Sequence, residues 1–256
     1  DTKAKRIGDE EWQRLGDFPE INNPATEAAS TAEPAHAEPV EDHEPINVDP
    51  QAYAEDLIAR AGPLDISGCF QRGWDLLKAN FWPLVGACAV TIIVMMILSM
   101  IPIISIFTGL LLTGVFYGGL YGYILKLSRG QAVEFGDIFN GFSVAFVPLM
   151  LASLVSQLLT GIGLILIILP GIYLAVAYLF AYILVMDKKL EFWAAMEVSR
   201  RVITAQWWRM FGLMLLGALL CLLGVIALLI GMFVTLPIYM AALMYAYEDL
   251  CNPPRR

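Results

Sequence analysis

Ser153, Ser156, Gln157 and Thr160 lie close together beside Gly161 and Gly163, in a stretch that carries no ionisable side chain. In apolar surroundings such groups have two uses. They line a polar cavity that admits a solute, or they hydrogen-bond across helices to backbone freed at a helix break. The second use is the commoner, and both put the chemistry at one spot.

Ionic or covalent chemistry has less to work with. Hydrolysis needs paired carboxylates, a nucleophile with its base, or a metal cluster. Asp137, Asp187, Glu191 and Glu197 have no His or Cys partner at motif spacing, and read as solvated faces paired with Lys188, Arg200 and Arg201. Cys69, Cys88, Cys221 and Cys251 are far apart and form no CxxC or Cys/His cluster, so neither a disulfide framework nor a zinc site is indicated. His36 and His43 sit in an acidic segment as solvated residues. No phosphate loop, nucleophile elbow or HExxH occurs. A non-enzymatic protein with no catalytic, cofactor or metal residues is expected.

The elements that position these groups are set by where charge is missing. Residues 81–125, 138–186 and 210–247 contain no Asp, Glu, Lys, Arg or His, giving runs of 45, 49 and 38 residues. A bilayer core about 30 Å thick needs roughly 20 helical residues per crossing. Each run is therefore long enough for a hairpin that enters and leaves on one side, and the fold class is an all-α integral membrane protein with about six spans. A soluble chain cannot cover a composition of 58% hydrophobic and 16% charged residues.

Breaks are expected at Pro102, giving spans 83–101 and 106–127, and at Gly161 and Gly163, giving spans 143–160 and 166–186, the latter interrupted by Pro170 and Gly171. In the third run the turn is expected between Gly224 and Gly231, with the next proline at Pro237. At 38 residues this run also admits a shallow hairpin that does not fully cross.

An amphipathic helix precedes each hairpin. Ile66, Phe70, Trp74 and Leu77 share a face in the first; Phe135, Ile138, Phe139 and Phe142 keep helical spacing in the second; Phe192, Met196, Ile203 and Trp207 share a face in the third. These helices are expected at the headgroup plane or packed on their own spans. KANFWPLVG (78–86) and TAQWWRMFG (204–212) superpose at an offset of 126, and Thr113, Tyr117 and Tyr123 match Thr235, Tyr239 and Tyr245 at an offset of 122. The chain thus reads as three parallel copies of "amphipathic helix, then hairpin".

Gly114, Gly118 and Gly122 form a GxxxGxxxG ridge, and Gly217, Gly224 and Gly231 recur every seven residues. Such ridges let backbones approach within a chain or between subunits, so a homo-oligomer or a larger membrane assembly is in view. Trp74, Trp82, Trp193, Trp207 and Trp208 fall at expected membrane interfaces, and Lys188, Lys189, Arg200, Arg201 and Arg209 are candidates for anionic lipid contacts. The charged junctions all lie on one side, which the positive-inside rule assigns to the cytoplasm together with both termini. Nothing before Phe81 resembles a signal-peptide core.

Charge divides the chain. Residues 1–65 hold 16 acidic and 5 basic side chains, a net of -11, whereas residues 66–256 hold 8 and 11, a net of +3. An acidic arm argues against nucleic acid as a partner. The expected organisation is a remnant of a small soluble domain at 1–18, a disordered Pro/Ala/Glu-rich linker at 19–63, the helical membrane domain at 64–250 and a tail at 251–256.

The segments GWDLLKANFW, LPGIYLAVAYLFAYILVMD and AAMEVSRRVITAQWWRMFG resemble a family of bacterial membrane proteins, some labelled "glycerophosphodiester phosphodiesterase membrane domain" and others a domain of unknown function. The resemblance covers about residues 64–250; Pro170-Gly171 with Tyr173, and the helix from Ala195 through Ser199 and Arg200 to Trp208, carry it best. The label comes from members with an attached catalytic domain, absent here, so no activity is carried over. Glu10/Glu11-Trp12-Gln13-Arg14-Leu15 with Pro19-Glu20 resembles the end of a GYF-like domain, which implies peptide binding. The function these residues suggest is a scaffold or adaptor of the bacterial inner membrane that recruits a cytoplasmic protein through its arm. The alternatives are a transporter or channel for a small or lipidic solute, and a membrane domain associated with lipid metabolism.

Overall fold

The computed structural model describes residues 3–4, 13–14, 48–101, 105, 107–226 and 231–253. The chain divides into two units, Asp1–His43 and Glu44–Arg256. In the first, β1 (Lys3–Ala4) pairs antiparallel with β2 (Gln13–Arg14), Lys3 opposite Arg14 and Ala4 opposite Gln13. Trp12, His36, His43 and the expected turn at Pro102 lie outside the described residues.

The second unit is helical throughout its described part, and it starts inside the expected linker. Helix α1 (Pro50–Arg60) occupies residues that composition assigns to a disordered segment. Asp49 caps it, accepting from the Gln51 N–H at 3.0 Å, and Pro50 opens the helix with its φ already fixed. Ala54 and Leu57 are fully buried, so apolar contact with the rest of the body holds what composition alone would leave loose.

Helices α2 (Ile66–Ala79) and α3 (Phe81–Ser99) come next, then a π-helical turn, Thr108–Leu112, that runs into α4 (Thr113–Ser128). A 3-10 turn, Phe135–Phe139, leads through α5 (Asn140–Val144) to α6 (Phe146–Leu166). The chain then forms α7 (Ile168–Ala177), α8 (Ala181–Lys188), α9 (Phe192–Ala205), α10 (Trp207–Ile226) and α11 (Met232–Cys251). Five segments are long and apolar enough to cross a membrane: Phe81–Ser99, Thr108–Ser128, Phe146–Leu166, Ile168–Lys188 and Trp207–Ile226. Helix α11 matches α10 in length, but its tyrosines and the Glu248–Asp249 pair leave it less apolar.

Several expected breaks fall elsewhere. Helix α6 continues through Gly161 and Gly163, and the chain turns at Ile167, whose backbone is extended (φ -152, ψ 124). Gly163 serves close approach instead: a Cβ there would lie 3.0 Å from the Gly171 Cα. Pro170 sits in the first turn of α7, where no intrahelical N–H is needed, so it does not interrupt the helix. Pro237 likewise lies inside α11, which carries on past it. The third run differs: α10 ends at Ile226, inside the expected interval from Gly224 to Gly231, and α11 starts at Met232.

One backbone kink recurs between each leading helix and the long helix after it. Asn80 (φ -132, ψ 47), Ala145 (φ -146, ψ 37) and Gln206 (φ -132, ψ 38) share it. Each leading helix also packs on the return helix of the unit before. A Cβ at Gly119 of α4 would strike the Ile138 carbonyl oxygen. The Ser199 hydroxyl of α9 donates to Ala177 O at 2.7 Å and accepts from Phe180 N at 3.2 Å. A Cβ at Gly73 of α2 would lie 3.0 Å from Ile238 O on α11. Positions 119 and 180 are 61 apart, as are 138 and 199, so the first two contacts repeat in register. The third falls one helical turn away, at Gly73 rather than Leu77, with the Ala241 Cβ, 61 positions beyond 180, at 3.4 Å from the added atom. Because α2 reaches α11, the ring of three units is closed.

The leading helices therefore pack on their own protein. Of the face expected in α2, Leu77 is buried and Ile66 and Phe70 pack against the core, whereas Trp74 is exposed and the closest contact is made by Gly73, buried with Cys69 and Leu76. Ile138 is buried while Phe135, Phe139 and Phe142 are exposed; Met196 and Ile203 are buried as expected.

Candidate functional site

The ends of the three return helices bring the charged residues together. Arg129, just past α4, binds Asp187 Oδ1 of α8 at 2.6 Å and Glu248 Oε1 of α11 at 2.6 Å. Asp187 also accepts from the Tyr247 hydroxyl at 2.7 Å, and Lys188 lies 3.4 Å away while bonding Asn252. Arg72 of α2 holds Asp249 through two N–H groups, one at 2.9 Å, beside Cys69. Burial pushes the Cys69 thiol up to about 12, with the Asp249 carboxylate adding to the shift. Glu197 receives Arg200 and Arg201 at 2.7 and 2.6 Å, and these donors, Arg200 first, hold its carboxyl below the usual range. Burial would raise Asp137, but hydrogen bonds from the Glu134 backbone, Lys126 and Asn140 keep it low. These groups neutralise one another. Among the described residues no cluster of His, Cys, Asp and Glu is placed to hold a metal ion.

The uncharged polar group builds a second site. The π-helical turn before α4 shifts the backbone bonding to i+5, as in Thr113 N to Thr108 O, and side chains add donors to its carbonyls. Gln157 Nε2 of α6 is one, donating to Gly109 O at 2.9 Å and Leu110 O at 3.4 Å, and to Ser153 Oγ at 2.7 Å. Thr113 donates to Gly109 O at 2.7 Å. Ser153 Oγ accepts from the Gly114 N–H at 3.1 Å, and Ser156 shares a hydrogen bond with the Tyr182 hydroxyl at 3.2 Å. Beside this network lies a pocket of about 330 Å³, lined by Ser156, Gln157, Thr160, Tyr121, Tyr178 and Tyr182 among others. The interhelical hydrogen bonds expected of these residues are present, with the pocket beside them. The turn they brace is the one at Thr108–Leu112, not α6 itself.

The glycine ridges pack inside the chain. Cβ atoms at Gly114 and Gly118 would crowd Leu149 and Ser153 of α6; one at Gly122 would meet Met186; one at Gly217 would strike the Tyr239 ring. Gly224 faces Thr235 and Gly231. The closest approaches to backbone are at Gly119 and Gly141, where added Cβ atoms would hit the carbonyl oxygens of Ile138 and Val115. Neither glycine belongs to the ridge read from sequence, because the heptad and tetrad rules register helix–helix seams, not a short turn laid across a helix.

Trp74, Trp82, Trp193 and Trp208 are exposed, Trp82 and Trp208 by 79% and 78%. Trp207 instead packs inward, stacked on Phe211 and Tyr173. Of the basic residues expected to meet lipid, Lys188, Arg200 and Arg201 are engaged with Asp187, Asn252 and Glu197. Lys189 takes a left-handed backbone at the end of α8. Arg209 lies in a separate pocket of about 540 Å³ with Trp207, Trp208, Gln206 and the 61–63 segment. No protein-family model matches the chain, and no solved structure matches it.

Proposed function

We propose that this is a multi-pass scaffold of the bacterial inner membrane, related to the families it resembles in sequence, with α11 completing a sixth crossing and both termini in the cytoplasm. The helical body anchors the chain, and the acidic N-terminal unit recruits a cytoplasmic protein. The division of the chain at residues 43 and 44 into a small unit and a large helical body is the main support. Ionisable groups that pair with one another at helix ends agree with an anchoring role, since they tie helices together. The test is affinity capture from membranes with the full chain and with residues 1–43 removed. A partner recovered only by the full chain supports the scaffold; equal recovery by both, or a monomer that captures nothing, ends it.

The second reading, passage or binding of a small lipidic solute, draws on the 330 Å³ pocket beside Gln157. Flux into liposomes that is lost with Gln157→Leu would favour it over the scaffold.

A further inference from the structure

The pocket at the start of α10 has the makings of a phosphate site. Its lining runs from Thr204 to Arg209 on one side and from Ala61 to Pro63 on the other, enclosing about 540 Å³. The Gln206 side chain fixes the two sides: Nε2 donates to Gly62 O at 2.8 Å and Oε1 accepts from Leu64 N at 2.8 Å. A preformed frame of this kind lowers the ordering cost of a ligand.

The charge inside the frame is positive. Among the described residues of the lining, Arg209 is the one that ionises, and its side chain reaches the neutral Gln206 oxygen at 3.5 Å, a marginal contact. The nearest acid along the chain, Asp65, is occupied as the cap of α2, accepting from Ser67 Oγ at 2.7 Å and Gly68 N at 3.1 Å. Arg200 and Arg201 are held by Glu197 on the preceding helix. Trp207 lines the same pocket, and its indole N–H is buried without an acceptor among the described residues. A buried donor left unpaired costs free energy that a bound acceptor would return. Trp208, 78% exposed, opens a long apolar helix, the position at which an amphipathic ring meets lipid headgroups.

We propose that the Gln206–Arg209 pocket binds the phosphate group of an anionic phospholipid, with Arg209 as the cation and Trp208 against the acyl-chain boundary. The site is independent of partner recruitment by the N-terminal unit. The test uses the full chain, stripped of lipid and returned to vesicles of phosphatidylcholine with or without phosphatidylglycerol. Retained phosphatidylglycerol is counted by native mass spectrometry. Arg209→Gln is expected to lower retention about fivefold, the share of one basic residue at an anionic surface. Arg209→Lys should keep most of it, and Arg201→Gln, which removes a cation already paired with Glu197, should keep all of it. Equal retention by Arg209→Gln and the unaltered chain would overturn the assignment. A parallel arm adds inorganic phosphate to the phosphatidylcholine vesicles. Arg209-dependent binding of phosphate there, with displacement of phosphatidylglycerol at millimolar concentration, would transfer the site to a water-soluble phosphate and refute the lipid.

Discussion

Arg129 and Asp187, 58 positions apart on different hairpins, meet at 2.6 Å where the return helices end. The Asp187 side chain is 7% exposed, so the guanidinium is its main compensation. Arg129 itself is 32% exposed, but removing it strands a carboxylate that is nearly buried. Arg129→Met should therefore lower stability by about 3 kcal/mol. Arg129→Lys should lose less, although a single ammonium cannot span Asp187 and Glu248 as the forked guanidinium does. Thermal unfolding in detergent measures both.

Gly119→Ala should destabilise strongly, by more than about 2 kcal/mol, because the new methyl overlaps a carbonyl oxygen that cannot rotate away. Gly161→Ala, with nothing within 4 Å of the added atom, should change stability by less than about 0.5 kcal/mol. The pair is read in one unfolding experiment, and equal effects would contradict the packing at the Ile138 turn.

Gln157→Leu leaves the Gly109 and Leu110 carbonyls without their side-chain donor. A loss of about 1 kcal/mol is expected, the scale of interhelical hydrogen bonds in membrane proteins. Gln157→Glu, which cannot donate when ionised, should be no better. An unfolding midpoint unmoved by Gln157→Leu would show that the π-helical turn does not depend on it.

The Glu197 carboxyl is held below the usual carboxylate value of about 4.3 by Arg200 and then Arg201. Its contribution is therefore complete above that unfolded value and is lost as pH falls through the lower folded one. The unfolding midpoint of the unaltered chain should drop in that acid window more than that of Glu197→Gln. With its thiol raised to about 12, Cys69 should resist maleimide at neutral pH in the folded chain and react on unfolding.

How far the sequence foretells this fold depends on the kind of signal. Charge-free runs mark apolar helices because lipid or a protein core punishes each ionised group, so the helices at Phe81–Ser99 and Trp207–Ile226 are legible. Helix α1 is masked by its Pro- and Glu-rich neighbours, although Asp49 and Pro50 together make a recognisable start. The turn at Ile167 carries no Gly or Pro, and the conspicuous glycines nearby, Gly161 and Gly163, stay helical. The middle unit's kinship is harder to see: Tyr117, Tyr178 and Tyr239 keep a spacing of 61, yet the leading segment there lacks the aromatic pair, Phe81-Trp82 and Trp207-Trp208, that links the other two. The polar group at Ser153–Thr160 is visible as a group. Its main partner is not, because no sequence pattern announces a π-helical turn at Thr108.

Arg72 near the beginning of the helical ring grips Asp249 near its end. A ring fastened in this way has no privileged starting point. Severing the connection between Arg129 and Glu134, and splicing the old ends around positions 48 and 251 with a short linker that keeps the Pro50–Arg60 helix, should yield a rearranged chain that folds to the same helical body.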